Sequence, residues 1–421
     1  MFFRKIKTQI FEHSLFFKNT FWLYLLQIAQ YVLPFIVFPY LTRVLHPEHF
    51  AVYAYVSAFL GIIGVIVNFG FNLFGTKEVS AVRNNIKEVS RIVGQITYAR
   101  LIVAIFMLFV VLIASQFIDI LRENLFFTIL FYIGIVLNSL LPDFVFQSFE
   151  NMRPLTVRYL LTKLLSIAFI LALVRKPDDL VLLSVVNVLC GIVSYVWTIS
   201  CMNKMFSINT DWSATFGIVK QLKNSSMYCL SELSGSLFSG FITIMIGIIF
   251  DDKNEVSYWS IAITVIGAVQ ALYSPITNSL YPHMINCRDL RFALRLGVIC
   301  APILIIGTIL FIVLSDFIVS IIGGAEYAPA AKVLVWLSPI LPVSFYSIFI
   351  GWPILGALGQ VKKLTMSVFV SGFVNVFLIC IIASLNVSSL AVICFIRCLI
   401  ECLLLVLRIF ALYGCLKNKT I

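Results

Sequence analysis

Apolar runs long enough to cross a bilayer follow one another along almost the whole of this chain, and few folds can absorb them. Windows between polar breaks predict helices over roughly 19–42, 50–74, 92–115, 124–148, 156–174 and 180–202. A second set falls over roughly 222–250, 256–282, 294–315, 328–355, 364–385 and 387–414. About 20 apolar residues rise ~30 Å as an α-helix, the thickness of the hydrocarbon layer. Backbone N–H and C=O groups in that layer must be paired within the protein, so these runs fold as helices. Composition agrees: 61% of the 421 residues are hydrophobic, 12% are charged, and the mean hydropathy is +1.04. A soluble domain is about a quarter charged. The expectation is an all-α polytopic membrane protein of about 12 transmembrane helices. Pro34, Pro39, Pro275, Pro302, Pro339 and Pro342 are candidate bending points, because proline removes a helix hydrogen bond.

Loop charge sets an expected orientation. The loops at the N-terminus, 76–91, 150–158, 204–223, 287–295, 362–363 and the tail hold 20 Lys/Arg and 6 Asp/Glu. The alternate loops, around 46–50, 119–124, 175–179, 251–255 and 316–326, hold 5 Lys/Arg and 10 Asp/Glu. By the positive-inside rule both termini are cytoplasmic, and the net charge of +11 reflects topology rather than nucleic-acid binding. Residues 1–18 alternate apolar Phe2, Phe3, Ile6 and Phe11 with Arg4, Lys5 and Lys7. No uninterrupted apolar core marks a signal peptide there, and an amphipathic helix on the cytoplasmic membrane face fits the pattern. Ten cysteines include no CxxC pair. Cys394, Cys398 and Cys402 share a helix face and read as small packing residues, with no disulfide framework expected.

One phrase occurs twice. KNTFWLYLLQ (Lys18 to Gln27) and KNSSMYCLSE (Lys223 to Glu232) share Lys-Asn, a hydroxyl residue, a Leu and a long polar tenth residue, 205 positions apart. At the same offset Tyr53 meets Tyr258 and Arg83 meets Arg288. Six helices separate the copies, so they share one orientation, as in a parallel repeat about the membrane normal. The expected organisation is a lead over 1–18, a six-helix bundle over 19–204, a cytoplasmic linker over 205–221, a second bundle over 222–414 and a tail over 415–421. Two such pseudo-repeat bundles around a central cleft are a transporter design. Gln27 and Glu232 lie about nine residues inside their helices, roughly 13 Å deep. Gln27 could line that cleft or join neighbouring helices; a carboxylate at the depth of Glu232 needs water, a partner or a proton.

Intramembrane charge marks a pathway or a pair. Arg100, about eight residues into its helix, is a candidate contact for an anionic headgroup or, equally, a partner for Asp143 or Glu232. Arg397 is a second candidate ligand contact, although Glu401 stands four residues on and could neutralise it. Asp143, beside Pro142 near a helix end, is either a hydrated terminus or a gate. Lys163, Lys332 and Arg408 are expected to snorkel. The aromatics Trp22, Tyr24, Tyr31, Trp336 and Trp352 suit interfacial belts, and none is assigned to sugar.

Three stretches carry a family resemblance: LQIAQYVLPFIVFPYLTRVLHPEHFAVYAY (26–55), NFGFNLFGTKEVSAVR (68–83) and PDFVFQSFENMR (142–153). Together they resemble the Wzx-type O-antigen and polysaccharide flippases of the multidrug/oligosaccharidyl-lipid/polysaccharide exporter superfamily. The chain departs from the usual pattern at Ser148, His46 and Ala51, where that family has glycine. The resemblance covers about the first 155 residues; beyond them only length and helix count agree. It implies translocation of undecaprenyl-diphosphate-linked oligosaccharide from the cytoplasmic to the periplasmic leaflet of a bacterial inner membrane. The implied partners are that lipid-linked substrate, membrane lipid, and a polysaccharide polymerase with its chain-length regulator. Ion-driven relatives imply H+ or Na+ coupling, for which Glu232 and Asp143 are the candidate sites, with Arg100, Arg397 and Gln27 as candidate substrate contacts.

A drug/ion antiporter of the same superfamily is the nearest alternative, and the basic Arg100 and Arg397 weigh against a cationic drug. A membrane polysaccharide polymerase or glycosyltransferase would need a sizeable extramembrane loop, whereas no predicted loop exceeds about 20 residues. His13, His46, His49 and His283 form no metal spacing, and no glycine-rich nucleotide loop is present. Neither a cofactor, a metal nor an enzymatic activity is expected.

Overall fold

Long apolar runs give long helices, and the computed structural model is built from them. It describes the backbone of residues 2–211, 217–236, 240–287, 289–385, 387 and 389–417. Side chains are described over the same residues except 2–20, 31, 231, 234, 278–279, 282–283, 285–287 and 416–417. In chain order the helices are α1 (Phe2–Asn68), α2 (Phe71–Val82), α3 (Ile86–Phe117), α4 (Asp119–Glu123), α5 (Leu125–Ser139) and α6 (Asp143–Ser148). Then come α7 (Arg153–Leu173), α8 (Leu180–Phe206), α9 (Ile218–Ser236), α10 (Gly240–Ile249), α11 (Asn254–Ala271) and α12 (Ser274–Cys287). The last are α13 (Leu290–Val313), α14 (Ser315–Ile322), α15 (Pro329–Leu337), α16 (Ile340–Phe349), α17 (Val361–Ser384) and α18 (Leu390–Lys417), with a π-helical turn, Ile350–Gly356, directly after α16. No strand occurs among the described residues.

Nine helical stretches among the described residues are long and apolar enough to span a bilayer. They become ten if α15 and the α16–π stretch, bent by 43°, form one span. The first stretch, Phe21–Val82, is counted once although its 62 residues would reach about 90 Å at 1.5 Å per residue. The run keeps helical dihedrals through Pro34 and Pro39 and breaks at His46, where φ is 54° and ψ is 167°. The prolines expected to bend this region are therefore not its breaking point. A glycine-type backbone conformation at a histidine is.

Burial shows which solvent surrounds these helices. On α3, Ile102, Ile105, Phe106, Phe109 and Ile113 form an exposed apolar stripe, while Ile96, Ala99, Arg100, Ala104 and Val111 are buried. The exposed face is greasy and the polar group is inside, the inverse of a water-soluble helix. Helix α13 exposes Val298, Ile299, Ile303, Ile306 and Leu310 in the same way. The chain is an all-α, multi-pass membrane protein.

The chain divides into two compact units, Met1–Tyr40 with Leu60–Leu233 and Leu41–Phe59 with Ser234–Ile421. In the first, α8 packs along α5 and α7, and α2 packs on α3 and α6. Its core gathers Phe71, Phe74, Ile92, Ile96, Phe144, Phe146 and Met202. In the second, α18 packs on α15, α16 and α17, and α11 on α15. Its core includes Tyr273, Leu280, Met284, Cys300, Phe345 and Phe349. The segment around the His46 break is anchored inside this second unit. Thr42 and Arg43 donate to the Ile322 and Ile321 carbonyls at 2.6 Å each, Tyr327 donates to the Thr42 carbonyl at 3.0 Å, and His46 meets Glu326 at 2.6 Å.

The amphipathic face expected over 1–18 lies outside the described side chains, as do Tyr31 and the first three residues, Lys18 to Thr20, of the repeated phrase. Parts of the expected linker and tail, and the repeat partner Arg288, also fall outside the described residues.

Candidate functional site

Two short sequence stretches, Asn68-Phe69-Gly70 and Leu141-Pro142-Asp143-Phe144, converge on one side chain. Helix α1 ends at Asn68, and the next two residues take left-handed φ of 52° at Phe69 and 69° at Gly70 before α2 begins. A Cβ at Gly70 would lie 2.5 Å from the Tyr228 Cβ and 2.6 Å from the Cys229 backbone nitrogen. Only glycine satisfies both the conformation and the approach of α9. This turn aims Asn68 and Asn72 at the buried face of α3, where Arg100 sits 1% exposed.

Arg100 is held by protein acceptors. Its Nη2 donates to Asn68 Oδ1 at 2.8 Å and Asn72 Oδ1 at 2.9 Å, and its Nη1 donates to the Leu141 carbonyl at 3.0 Å. Leu141 lies between the end of α5 at Ser139 and the start of α6 at Asp143, outside either helical ladder, so its carbonyl is available to Arg100. The rings of Phe71 and Phe144 lie 5.8 and 5.6 Å from the guanidinium carbon, within cation–π range. Asn68 also donates its Nδ2 to Glu232 Oε2 at 3.2 Å. One amide thus joins the buried cation to the carboxylate of the repeated phrase, in the order Arg100, Asn68, Glu232. Asp143 and Glu232 both act on the charge of Arg100 through space.

Asp143 does not bond Arg100 directly. It accepts a two-pronged contact from Arg158, with Nη1 to Oδ1 at 2.5 Å and Nη2 to Oδ2 at 2.9 Å. Arg158 Nη1 also donates to Thr198 Oγ1 at 2.9 Å, tying α6, α7 and α8 together. Loop-charge counting places Arg158 at a cytoplasmic surface; it is in fact buried, a full turn inside α7. Pro154 near the start of that helix is the signal that could have placed it inside. Beside this cluster, Ser148 donates to the Phe144 and Thr76 carbonyls at 2.6 and 3.0 Å, so the serine standing in place of glycine adds a link between α2 and α6. Gln27 is partly buried on α1 and is not part of the Arg100 cluster.

In the second unit Arg397 Nη1 donates to Glu401 Oε2 at 2.8 Å, one turn apart on α18, with both residues buried. Arg397 and Glu401 thus form the mutually neutralising arrangement their spacing allows. Lys163 and Lys332 are exposed. Arg408 departs from that expectation: it is 8% exposed and donates through Nη1 to the Ser347 carbonyl at 2.5 Å and to Ser347 Oγ at 3.1 Å. Its charge turns inward because the backbone breaks nearby, at Gly351, where ψ is −111°.

Within the first unit the half-buried carboxylate of Glu232 is thus joined to the buried guanidinium of Arg100 through the Asn68 amide. Comparisons with known proteins bear on the family and the fold. The family model of the polysaccharide biosynthesis proteins matches residues 16–287. A curated relative from Escherichia coli (strain K12), named "Putative O-antigen transporter", is 24% identical over 330 residues, covering 77% of this chain and 79% of its own. Among solved structures, an inward-facing multidrug resistance MATE family transporter of the MOP superfamily aligns with TM-score 0.72 at 14% identity, over 96% of this chain and 99% of its own. The lipid II flippase MurJ, in an inward closed conformation, aligns with TM-score 0.64 at 12% identity, over 94% and 87%. With the family model covering well over half of its length, and with the fold that the solved transporters share, this chain belongs to the polysaccharide biosynthesis protein family.

Proposed function

We propose that this protein is a flippase moving undecaprenyl-diphosphate-linked oligosaccharide from the cytoplasmic to the periplasmic leaflet of a bacterial inner membrane, by alternating access. The observation that carries this reading is the Arg100–Asn68–Glu232 relay. A half-buried carboxylate linked to a buried guanidinium through one amide is costly in a membrane unless its charge state is used. The physics of the cargo fits. An isoprenoid tail can remain in lipid, while a diphosphate and sugar hydroxyls need a polar path.

Glu232 is the proposed site of H+ or Na+ coupling. Protonation or ion capture there weakens its hold on Asn68 and loosens the acceptors around Arg100. Asp143, locked to Arg158, is proposed as a gating element that ties α6 to α7 and α8. Arg100, Arg397 and Gln27 remain the proposed substrate-side polar residues, Arg100 and Arg397 acting through the contacts they already make. Both termini are placed in the cytoplasm by loop charge, and the halves 19–204 and 222–414 are proposed as the repeat. The proposed working partners are a polysaccharide polymerase and its chain-length regulator.

Complementation decides the reading. Expression in a bacterium lacking its own flippase should restore surface polysaccharide, and Glu232→Gln, which keeps the Asn68 contact but not the charge, should abolish restoration at normal protein abundance. Restored polysaccharide with full activity in Glu232→Gln would remove the coupling role. Failure to restore any polysaccharide, together with increased efflux of a cationic dye, would favour the drug antiporter.

A further inference from the structure

Arg408 is buried on α18, and among the described residues no carboxylate lies at ion-pair distance from it. Glu401, two turns back along the same helix, is bonded to Arg397. A buried guanidinium with no carboxylate in direct contact is expensive unless something anionic visits it. Its own bonding shows which nitrogens have capacity left. Nη1 is engaged by Ser347, Nη2 donates to nothing among the described residues, and Nε is enclosed by the protein without a hydrogen-bond partner. Nε and Nη2 form one edge of the planar guanidinium, the edge that grips two oxygens of a carboxylate or phosphate side by side.

The space beside Arg408 can admit a ligand. A cleft of about 580 Å³ is lined by Thr277, Tyr281, Ile348, Trp352, Pro353 and Arg408. The helix break makes the room: a Cβ at Gly351 would lie 3.0 Å from Arg408 Nη1 and 3.3 Å from its Cζ, so a side chain there would press on the guanidinium. Trp352, 58% exposed, supplies a flat aromatic face at the same cleft, and Tyr281 a second ring. An oxyanion edge beside aromatic rings suits a phosphorylated or acidic glycoside. It does not suit a cation.

We infer that this cleft is an oxyanion-binding subsite for the anionic group of the transported glycolipid, with Arg408 as its anchor and Trp352 as its wall. The inference rests on the flippase reading for the identity of the cargo, but not for the binding itself. The chemistry could come from the diphosphate or from a uronic-acid carboxylate, and the test separates the two.

The full-length protein in phosphatidylcholine nanodiscs is titrated with radiolabelled farnesyl diphosphate and, separately, with methyl glucuronide. Saturable binding of at least one probe is expected. Binding should weaken roughly tenfold or more in Arg408→Lys, which keeps the charge but not the fork. Trp352→Ala should weaken it severalfold with an unchanged melting temperature. Preference for the diphosphate assigns the phosphate source, and preference for the glucuronide assigns the sugar acid. No binding of either probe, or unaltered affinity in Trp352→Ala, overturns the subsite even if Arg408→Lys proves unstable. Complementation with the same variants separates the two readings. Restored polysaccharide without Arg408-dependent binding removes the subsite and leaves the flippase. Arg408-dependent binding without restored polysaccharide does the reverse.

Discussion

At the scale of single residues, Arg100 is the one whose surroundings are most fully specified. Three acceptors from three segments converge on its two terminal nitrogens. Removing it leaves those acceptors, one buried and two half-buried, without their donor, at up to about 1–3 kcal/mol each before relaxation. Arg100→Ala should therefore lower both membrane abundance and melting temperature, beyond any loss of transport. Arg100→Lys can reach at most some of these acceptors from a single nitrogen and should fall between. Melting followed by fluorescence size-exclusion in detergent checks this; an Arg100→Ala protein as stable as the wild type would show that the cluster does not hold the fold. His46 makes the opposite case. At φ 54° and ψ 167° it occupies a region that only glycine enters freely, at a strain of about 1–3 kcal/mol. What it gains is a contact to Glu326 between two half-exposed side chains, a class worth about 0–1 kcal/mol. His46→Gly should therefore raise the melting temperature. A fall would mean that the Glu326 contact outweighs the strain.

At the scale of elements, the pair on α18 gives a cleaner test than any isolated charge. Arg397 and Glu401 are both buried and bonded one turn apart. Removing one partner strands the other in a low dielectric, at about 3–5 kcal/mol. Each alanine substitution alone should sharply reduce protein level, and Arg397→Ala with Glu401→Ala should be milder than either, measured as a double-mutant cycle on melting. Additive losses would dissolve the pair. That pair was legible because i,i+4 spacing puts two side chains on one helix face, a purely local fact. The helices were legible for the same reason, since an apolar run states its own solvent. The Arg100 cluster was half legible: its depth showed, but its acceptors come from residues 28 to 41 positions away. Nothing in local spacing brings Asn68 and Leu141 together. Arg158 was read as a loop charge because it closes a basic segment, and its partner Asp143 lies across a helix boundary. Arg408 reads as snorkelling because it stands six residues from the expected helix end at 414. The broken helix that receives it, 61 positions upstream, has no signature except a glycine and a proline.

At the scale of the whole molecule, charge is distributed by loop, and that distribution makes a prediction independent of any site. Loop Lys/Arg divide 20 to 5 between alternate loops, a bias large enough to fix orientation if short loops obey the positive-inside rule. The loop containing Lys253 falls in the acidic set, and the segment containing Arg291 in the basic set. Between them the chain has one span-length apolar stretch, Asn254–Thr277, of 24 residues. At 1.5 Å per residue that stretch reaches about 36 Å, enough for one crossing with some tilt and too short for two. The two positions must then lie on opposite faces of the membrane. Alkaline phosphatase fused after Lys253 should be active and green fluorescent protein dark; after Arg291 the outcomes should reverse. Activity of the same reporter at both positions would mean that α11 and α12 do not cross together. A clean reversal of both signals would keep the crossing and invert the chain. The protein would then have its termini in the periplasm, and the proposed direction of transport would need a different energetic drive.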